Sequence, residues 1–248
     1  MPGAGILKQA FRAAYEREQF LPGRLGLLLN PFYFARRGLY ENLVACRPYL
    51  HGSMLDVGCG QKPYRSIFDV SRYVGMEVDR PEVRAAGVAD VYYDGTVFPF
   101  EDASFDCVLT NQVLEHVFTP AQFVREIRRV LKLGGTLVIT VPFVWDEHCQ
   151  PWDYARYSSF GLRHLLEEAG MKILESRKSM SDVRVLFQLA NAYLFKINPF
   201  TSGRTRLAFS LASTAPLNIV GELASRVLPG NEDLYLDNVV VAEKADHP

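Results

Sequence analysis

Four short apolar runs constrain this chain most: MLDVG at Met54–Gly58, RYVGMEVD at Arg72–Asp79, FDCVLTN at Phe105–Asn111 and GGTLVITVP at Gly134–Pro142. None alternates strictly between apolar and polar residues, so each reads as a strand covered on both faces, and helix-length segments lie between them. That alternation implies an α/β doubly wound architecture built on a mostly parallel sheet. MKILESRK and LYLDNVVVAEK supply a fifth strand and a closing strand that complete an edge pair.

The helices carry their own signals. Ile6 to Phe20 and Phe32 to Tyr49 read as two leading helices, with Leu39, Leu43, Val44 and Arg47 on one partly apolar side and Pro22, Gly23 and Pro31 as punctuation. In TPAQFVREIRRVLKLGG, Thr119 is placed to cap, Pro120 fits the first turn and Gln122 completes a capping box. Phe123, Ile127, Val130 and Leu131 form its buried stripe, and Gly134 is expected to stop the helix. After the fourth strand, Leu162, Leu165, Leu166 and Ala169 mark another helix, ended by Gly170.

With 248 residues, the chain can bury one sizeable core, so a single domain with an elaboration is expected. A formal net charge of -1 offers nucleic acid no general attraction. The four cysteines are scattered and form no close pair, which suggests a reducing compartment. The opening residues are charged throughout and lack a signal core, so the cytoplasm is the expected location.

In such a sheet, ligands sit outside the carboxyl ends of the strands near a reversal in strand order, which directs attention to Asp56–Gly60, Glu77–Asp79 and Asn111–His116. Gly58 and Gly60 let the backbone approach a ligand, and an acid at Glu77 can accept hydrogen bonds from both hydroxyls of a ribose; the plainer reading of Glu77 and Asp79 is a solvent-facing strand end. A dinucleotide would need a third glycine where GCGQKP has Pro63, so it is disfavoured. An adenosyl cofactor without phosphates needs a ribose acid, an adenine slot and a carboxylate near an ammonium, and Asp56 can supply the last.

The stretches LDVGCG, YVGMEVD, YYDGTVFPFEDASFDCVLTNQVLEHV and REIRRVLKLGGTLVITVP resemble, in order, the motifs of class I S-adenosylmethionine-dependent methyltransferases of the type 11 kind. The resemblance is close over residues 54 to 142. It implies a Rossmann-like, seven-stranded sheet with an antiparallel last strand, a helical N-terminus and a helical insertion before that strand. It also implies that Asp56 and the backbone of Gly58, Cys59 and Gly60 line the methionine end of S-adenosyl-L-methionine. Glu77, with Val78 beside it, would hold the ribose; Asp94 and Gly95 would approach the adenine; Asn111, Gln112 and His116 would lie beside the reactive end. Lys62 departs from the family loop, where a glycine often stands, and bears on the loop's shape.

Transfer of a methyl group from a sulfonium needs an aligned nucleophile and, for a hydroxyl or ammonium acceptor, loss of a proton. His116 is the first candidate base or orienting donor. The segment after the fourth strand resembles the H-x-x-P-x-D-Y-x-R-Y loop of a subset of the family, through His148, Pro151, Asp153, Tyr154, Arg156 and Tyr157. His148, Asp153, Arg156 and Tyr157 would orient the acceptor, or an Asp153–Arg156 pair would brace the loop. A metal on His148, Cys149 and Asp153 is set aside, because their spacing is not diagnostic and no second cluster matches them.

Residues 182 to 231 read as apolar helices broken by Pro199, Gly203 and Pro216, with no run long enough to span a bilayer. A cap, a homodimer face and a patch lying on a membrane are the options, the last being the least plain. The expected organisation is N-terminal helices over 1–50, a cofactor-binding core with its substrate loop over 51–181, the insertion, and a closing strand with tail over 232–248. The expected activity is methyl transfer to a small organic or lipid-like acceptor, the alternative a non-catalytic S-adenosylmethionine-binding scaffold; an oxidoreductase is disfavoured for want of the dinucleotide loop.

Overall fold

The computed structural model describes residues 17–200 and 202–246. They divide into two compact units: the described residues up to Glu41 with Met180–Tyr235, and Asn42–Ser179 with the described residues from Leu236 onward. Of the leading helix expected at Ile6 to Phe20, residues 17–20 are helical and the rest lies outside the described residues.

The larger unit holds the sheet. Its strands are β1 (Ser53–Val57), β2 (Arg72–Val78), β3 (Val91–Tyr93), β4 (Phe105–Asn111), β5 (Leu131–Pro142), β6 (Met171–Ser179) and β7 (Asp237–Lys244), in the order β3-β2-β1-β4-β5-β7-β6. The first five pair in parallel, and β7 lies antiparallel to both β5 and β6, as expected. Strand order therefore reverses between β1 and β4, which places the cleft beyond their carboxyl ends. Leu55, Val57, Val108, Leu137 and Ile139 form the buried centre. The short β3 is not among the runs read from the sequence, because three residues are too few to set a pattern.

Helix α1 (Gly26–Leu29) precedes α2 (Tyr33–Ala45), and α3 (Pro81–Ala86), α4 (Pro120–Val130) and α5 (Ser159–Glu168) follow. Two details of α4 differ from expectation. It ends at Val130, because Leu131 turns extended and pairs with Phe105; Gly134, with φ +71°, falls in the register shift that follows inside β5. Its capping box is absent: Thr119 makes no side-chain cap bond, and the Gln122 amide donates to the carbonyl of Thr96 at 3.4 Å instead. The stripe of Phe123, Ile127 and Val130 is buried, as the spacing requires. In α2, Leu39 and Leu43 are buried, but Arg47 lies exposed in a 3-10 turn beyond the helix, so it is not part of the apolar side.

The smaller unit contains α6 (Arg184–Lys196) and α7 (Gly203–Ala224), which make the insertion helical. Pro216 does not break α7, contrary to the sequence reading. Contacts just beyond it hold the helix: the buried Asn218 amide donates to the carbonyls of Leu27 and Asn30, and Asn191 donates to Asn218 at 2.9 Å. Gly221 passes against Phe187 and Phe34, where a Cβ would sit 2.9 Å from the Phe187 ring. No helix among the described residues is long and apolar enough to cross a membrane.

Candidate functional site

A cavity of about 670 Å³ opens at the carboxyl ends of the strands in the larger unit. Its first wall begins where β1 runs into the glycine turn. The amides of Gly58 and Cys59 donate to the Met76 carbonyl at 2.9 and 3.3 Å, which clamps the turn to β2. Gly58 has φ +72°, and a Cβ there would lie 2.3 Å from a Val113 methyl, so this turn requires glycine.

Glu77, at the end of β2, lines the cavity. Its carboxylate accepts the Gly60 amide at 2.7 Å and the Val78 amide at 3.3 Å. In the turn after β3, one oxygen of Asp94 accepts the Thr96 amide and hydroxyl at 2.8 and 2.6 Å and the Val97 amide at 3.1 Å. Those bonds hold its carboxyl below the usual range, so Asp94 is charged at neutral pH. Asp79 forms a two-pronged pair with Arg84 on the exposed rim. Lys62 takes a left-handed φ of +53° and binds Asp90 at 2.8 Å, while Asp90 accepts the Gly75 amide; the unusual residue thus fastens the loop to the β2 side.

Asp56 is buried in β1, accepts the Tyr73 hydroxyl and does not line the cavity. Burial pushes its carboxyl up to about 7, against the Tyr73 bond, and Glu77 adds to the rise. Cys59, Gly60 and Asn111 also stand outside the lining, Asn111 accepting the Thr140 hydroxyl at 2.8 Å. Gly58, Glu77, Val78, Asp94, Gly95, Gln112 and His116 do line it.

The opposite wall comes from the turn after β4 and the loop between β5 and α5. Asp153 is nearly inaccessible, and both its oxygens take nitrogens of Arg156, at 2.6 and 2.7 Å. Asp153 also accepts the His148 amide at 2.9 Å, and Arg156 donates to the carbonyls of Ala155 and Asp146 at 2.7 and 2.8 Å. Arg156 holds the Asp153 carboxyl down at about 2, against burial. This is a brace within the loop. His148, Asp153, Arg156 and Tyr157 lie outside the cavity lining, and Tyr157 packs on the core.

The loop instead offers Cys149, Trp152 and Tyr154 to the cavity, together with His116. Arg80 stacks on Trp152 at 3.9 Å from the ring centroid. His116 Nδ1–H donates to the Trp152 carbonyl at 2.7 Å, so its lone pair is on Nε2. Burial lowers the His116 pKa, leaving it neutral at pH 7. Its ring meets that of His148 edge to face at 4.8 Å.

Glu115 has a role that no local pattern announces. Its carbonyl accepts the amides of Tyr154 and Ala155 at 2.8 and 3.3 Å, which ties down the loop. Its carboxyl is fully buried, with no hydrogen-bond partner for either oxygen among the described residues, and burial pushes it up to about 8. The only signal in the sequence is an acid beside His116 in LEHV, which spacing alone cannot distinguish from a solvated charge. Arg80, Val113 and Thr119 also line the cavity, and each joins it through the fold and not through a sequence motif.

Residues 55–139 match the family model described as a methyltransferase domain. A Streptomyces fradiae protein, described as an uncharacterized 37.1 kDa protein in a transposon, is 32% identical over 47% of this chain and 37% of its own length. A probable S-adenosylmethionine-dependent methyltransferase of Mycolicibacterium smegmatis is 29% identical over 60% of this chain and 62% of that protein. The chain thus spans little more than a third of the first of these relatives and less than two thirds of the second. Among solved structures, the [4+2]-cyclase SpnF matches with a TM-score of 0.53 and 24% identity, covering 85% of this chain and 81% of that one. Phosphoethanolamine N-methyltransferase 2 of Haemonchus contortus, solved with S-adenosyl-L-methionine, matches with a TM-score of 0.52 and 17% identity over 83% of this chain and 52% of that one. These structural likenesses concern the fold.

Proposed function

We propose that the chain, whose residues 55–139 match the methyltransferase-domain family model, transfers a methyl group from S-adenosylmethionine to a small organic or lipid-like acceptor by direct displacement. The fold alone does not select that chemistry, since a matched structure is a [4+2]-cyclase. The observation that carries the reading is the Glu77 wall. Glu77 and Asp94 give this end of the cavity two carboxylates, Asp79 being taken up by Arg84, and the Gly60 amide, which a phosphate would need, is spent on Glu77 at 2.7 Å. Such a wall fits ribose hydroxyls and an adenine amino group and repels a pyrophosphate.

When bound, the cofactor supplies an electrophilic methyl group on a sulfonium whose leaving thioether is neutral. Glu77 would bind the ribose and the Asp94–Gly95 turn the adenine. Asp56, buried behind the glycine turn and bound by Tyr73, would act from outside the lining, by holding the turn that faces the cofactor's methionine end. His116, Trp152 and Tyr154 would orient the acceptor, and the Asp153–Arg156 brace would hold their loop in place, since small errors of alignment are costly in a displacement.

Calorimetric titration tests this directly. Saturable binding of S-adenosylmethionine and S-adenosylhomocysteine, with none of NAD, is expected; the reverse preference overturns the reading. Binding without transfer to any of a panel of small and lipid-like acceptors would favour the non-catalytic scaffold.

A further inference from the structure

The loop after β5 brings His148 and Cys149 beside His116 from the turn after β4, although more than thirty residues separate them in sequence. One ring nitrogen of each histidine and the Cys149 sulfur lie within 4.8 Å of one another. We propose that His116, His148 and Cys149 form a binding site for a transition-metal ion of the Zn²⁺ class at the acceptor end of the cavity.

Three features carry this. First, the histidines are held as metal-ligating histidines are. His116 Nδ1–H donates to the Trp152 carbonyl at 2.7 Å and His148 Nδ1–H to the Asp146 carbonyl at 3.2 Å, with Asp153 at 3.4 Å from the same nitrogen. At His116 the carbonyl fixes the proton on Nδ1 and the lone pair on Nε2; at His148 two oxygens favour the same tautomer, with Arg156 Nη2 at 3.5 Å from that Nδ1 as well. Second, Glu115 is fully buried with two unpartnered oxygens among the described residues, one of them 3.8 Å from His116 Nε2. A carboxyl buried without a partner is relieved by a proton or by a cation, and an ion held at His116 Nε2 would be the nearer source of positive charge. A divalent ion with the Cys149 thiolate and the Glu115 carboxylate is neutral overall. The neighbouring Arg156 is already matched by Asp153.

Third, two nitrogens and a sulfur select among metals. They suit zinc or cobalt and disfavour Mg²⁺, which wants oxygen. Bonds of about 2.0–2.3 Å put tetrahedral donors roughly 3.5 Å apart, so the trio closes by about 1 Å on binding. Cys149 stands on an exposed part of the loop, where a side-chain rotation supplies that closure. Three protein donors leave a fourth position for a ligand from the cavity, which His116 and Cys149 line. That this ligand is the methyl acceptor's heteroatom rests on the function proposed above; the ion site itself does not.

The test is a titration of reduced, chelator-treated protein with Co²⁺, without any adenosyl ligand. One equivalent should bind, with the near-ultraviolet charge-transfer band of a cobalt–thiolate bond and the strong visible bands of four-coordinate cobalt. Zn²⁺ should displace it and Mg²⁺ should not. Cys149→Ser should abolish the charge-transfer band and weaken binding on the order of 100-fold, and His148→Gln should keep the band but weaken binding comparably. Glu115→Gln should cost about 10-fold. Circular dichroism and S-adenosylhomocysteine titration of each variant report folding. No charge-transfer band in the wild-type protein, or one that survives in folded Cys149→Ser, overturns the site. Cobalt binding without cofactor binding sinks the methyltransferase reading alone, and cofactor binding without the cobalt spectrum sinks the metal alone.

Discussion

The two ends of the cavity are built on different principles. At the cofactor end, the ligand-facing groups sit within a few residues of strand termini: Gly58 follows β1, Glu77 closes β2, and the Asp94 turn follows β3. Their partners are mostly backbone amides, so sheet register places them almost automatically. At the acceptor end, a long loop is held largely by one side-chain pair, with Arg156 binding Asp153 and the carbonyls of Asp146 and Ala155, beside two amide bonds to the Glu115 carbonyl. The first end is a property of the fold; the second depends on a few charged contacts and is correspondingly vulnerable.

The largest expected effect is therefore at the brace. Asp153→Ala leaves a partly buried Arg156 without its counter-charge, at a cost of about 3–5 kcal/mol. Chemical denaturation should show that loss, while cofactor affinity measured on the folded fraction stays near the wild-type value and single-turnover transfer falls on the order of 100-fold. A loss of cofactor affinity equal to the loss of rate would erase the distinction between the two ends. Because Asp153 is depressed to about 2, its contribution is present above the ordinary carboxylate value near 3.8 and disappears as pH falls from there toward 2.

On the cofactor side, Glu77→Ala should weaken S-adenosylmethionine binding by roughly 1.5–3 kcal/mol, since it removes charged hydrogen-bond acceptors; an unchanged dissociation constant would detach Glu77 from the ligand. Gly58→Ala should lower stability by about 1–3 kcal/mol through backbone strain, with the collision against Val113 as its signature in thermal melts. A melt like wild type would mean that the turn is not confined as described.

Asp56 and Glu115 give a third handle. Both carboxyls are raised by burial, to about 7 and about 8, so each favours the folded state while protonated and loses that contribution as pH rises through the folded value. Ligand-free, metal-free protein should be more stable in urea at about pH 6.5 than at about pH 9, by a few kcal/mol. A bound cation beside Glu115 should flatten that slope. The smallest effect is expected at Thr119→Ala, below about 0.5 kcal/mol, because the cap bond is not formed; a loss near 1 kcal/mol would restore the capping box.

Legibility in the sequence follows the same division. MLDVG, RYVGMEVD and FDCVLTN identify their strands and so locate Gly58, Glu77 and Gln112, because local pattern and strand end coincide. The Asp153–Arg156 brace was also readable, as a pair three residues apart within one loop. Glu115 was not, since neither its burial nor its lack of partners has a local signature. Spacing also misjudged the end of α4 and the effect of Pro216, where strand pairing and contacts within the helical unit override local preference.

Local pattern is enough to place six of the seven strands, the glycine turn and the acid at the end of β2, because backbone geometry and apolar periodicity act over a few residues. Folding is what turns Asp56 to Tyr73 away from the cavity lining and brings His116, His148 and Cys149 together near a Glu115 carboxyl without a hydrogen-bond partner among the described residues. Those outcomes depend on distances between segments far apart in the chain, which exist only once the sheet has aligned the ends of β4 and β5.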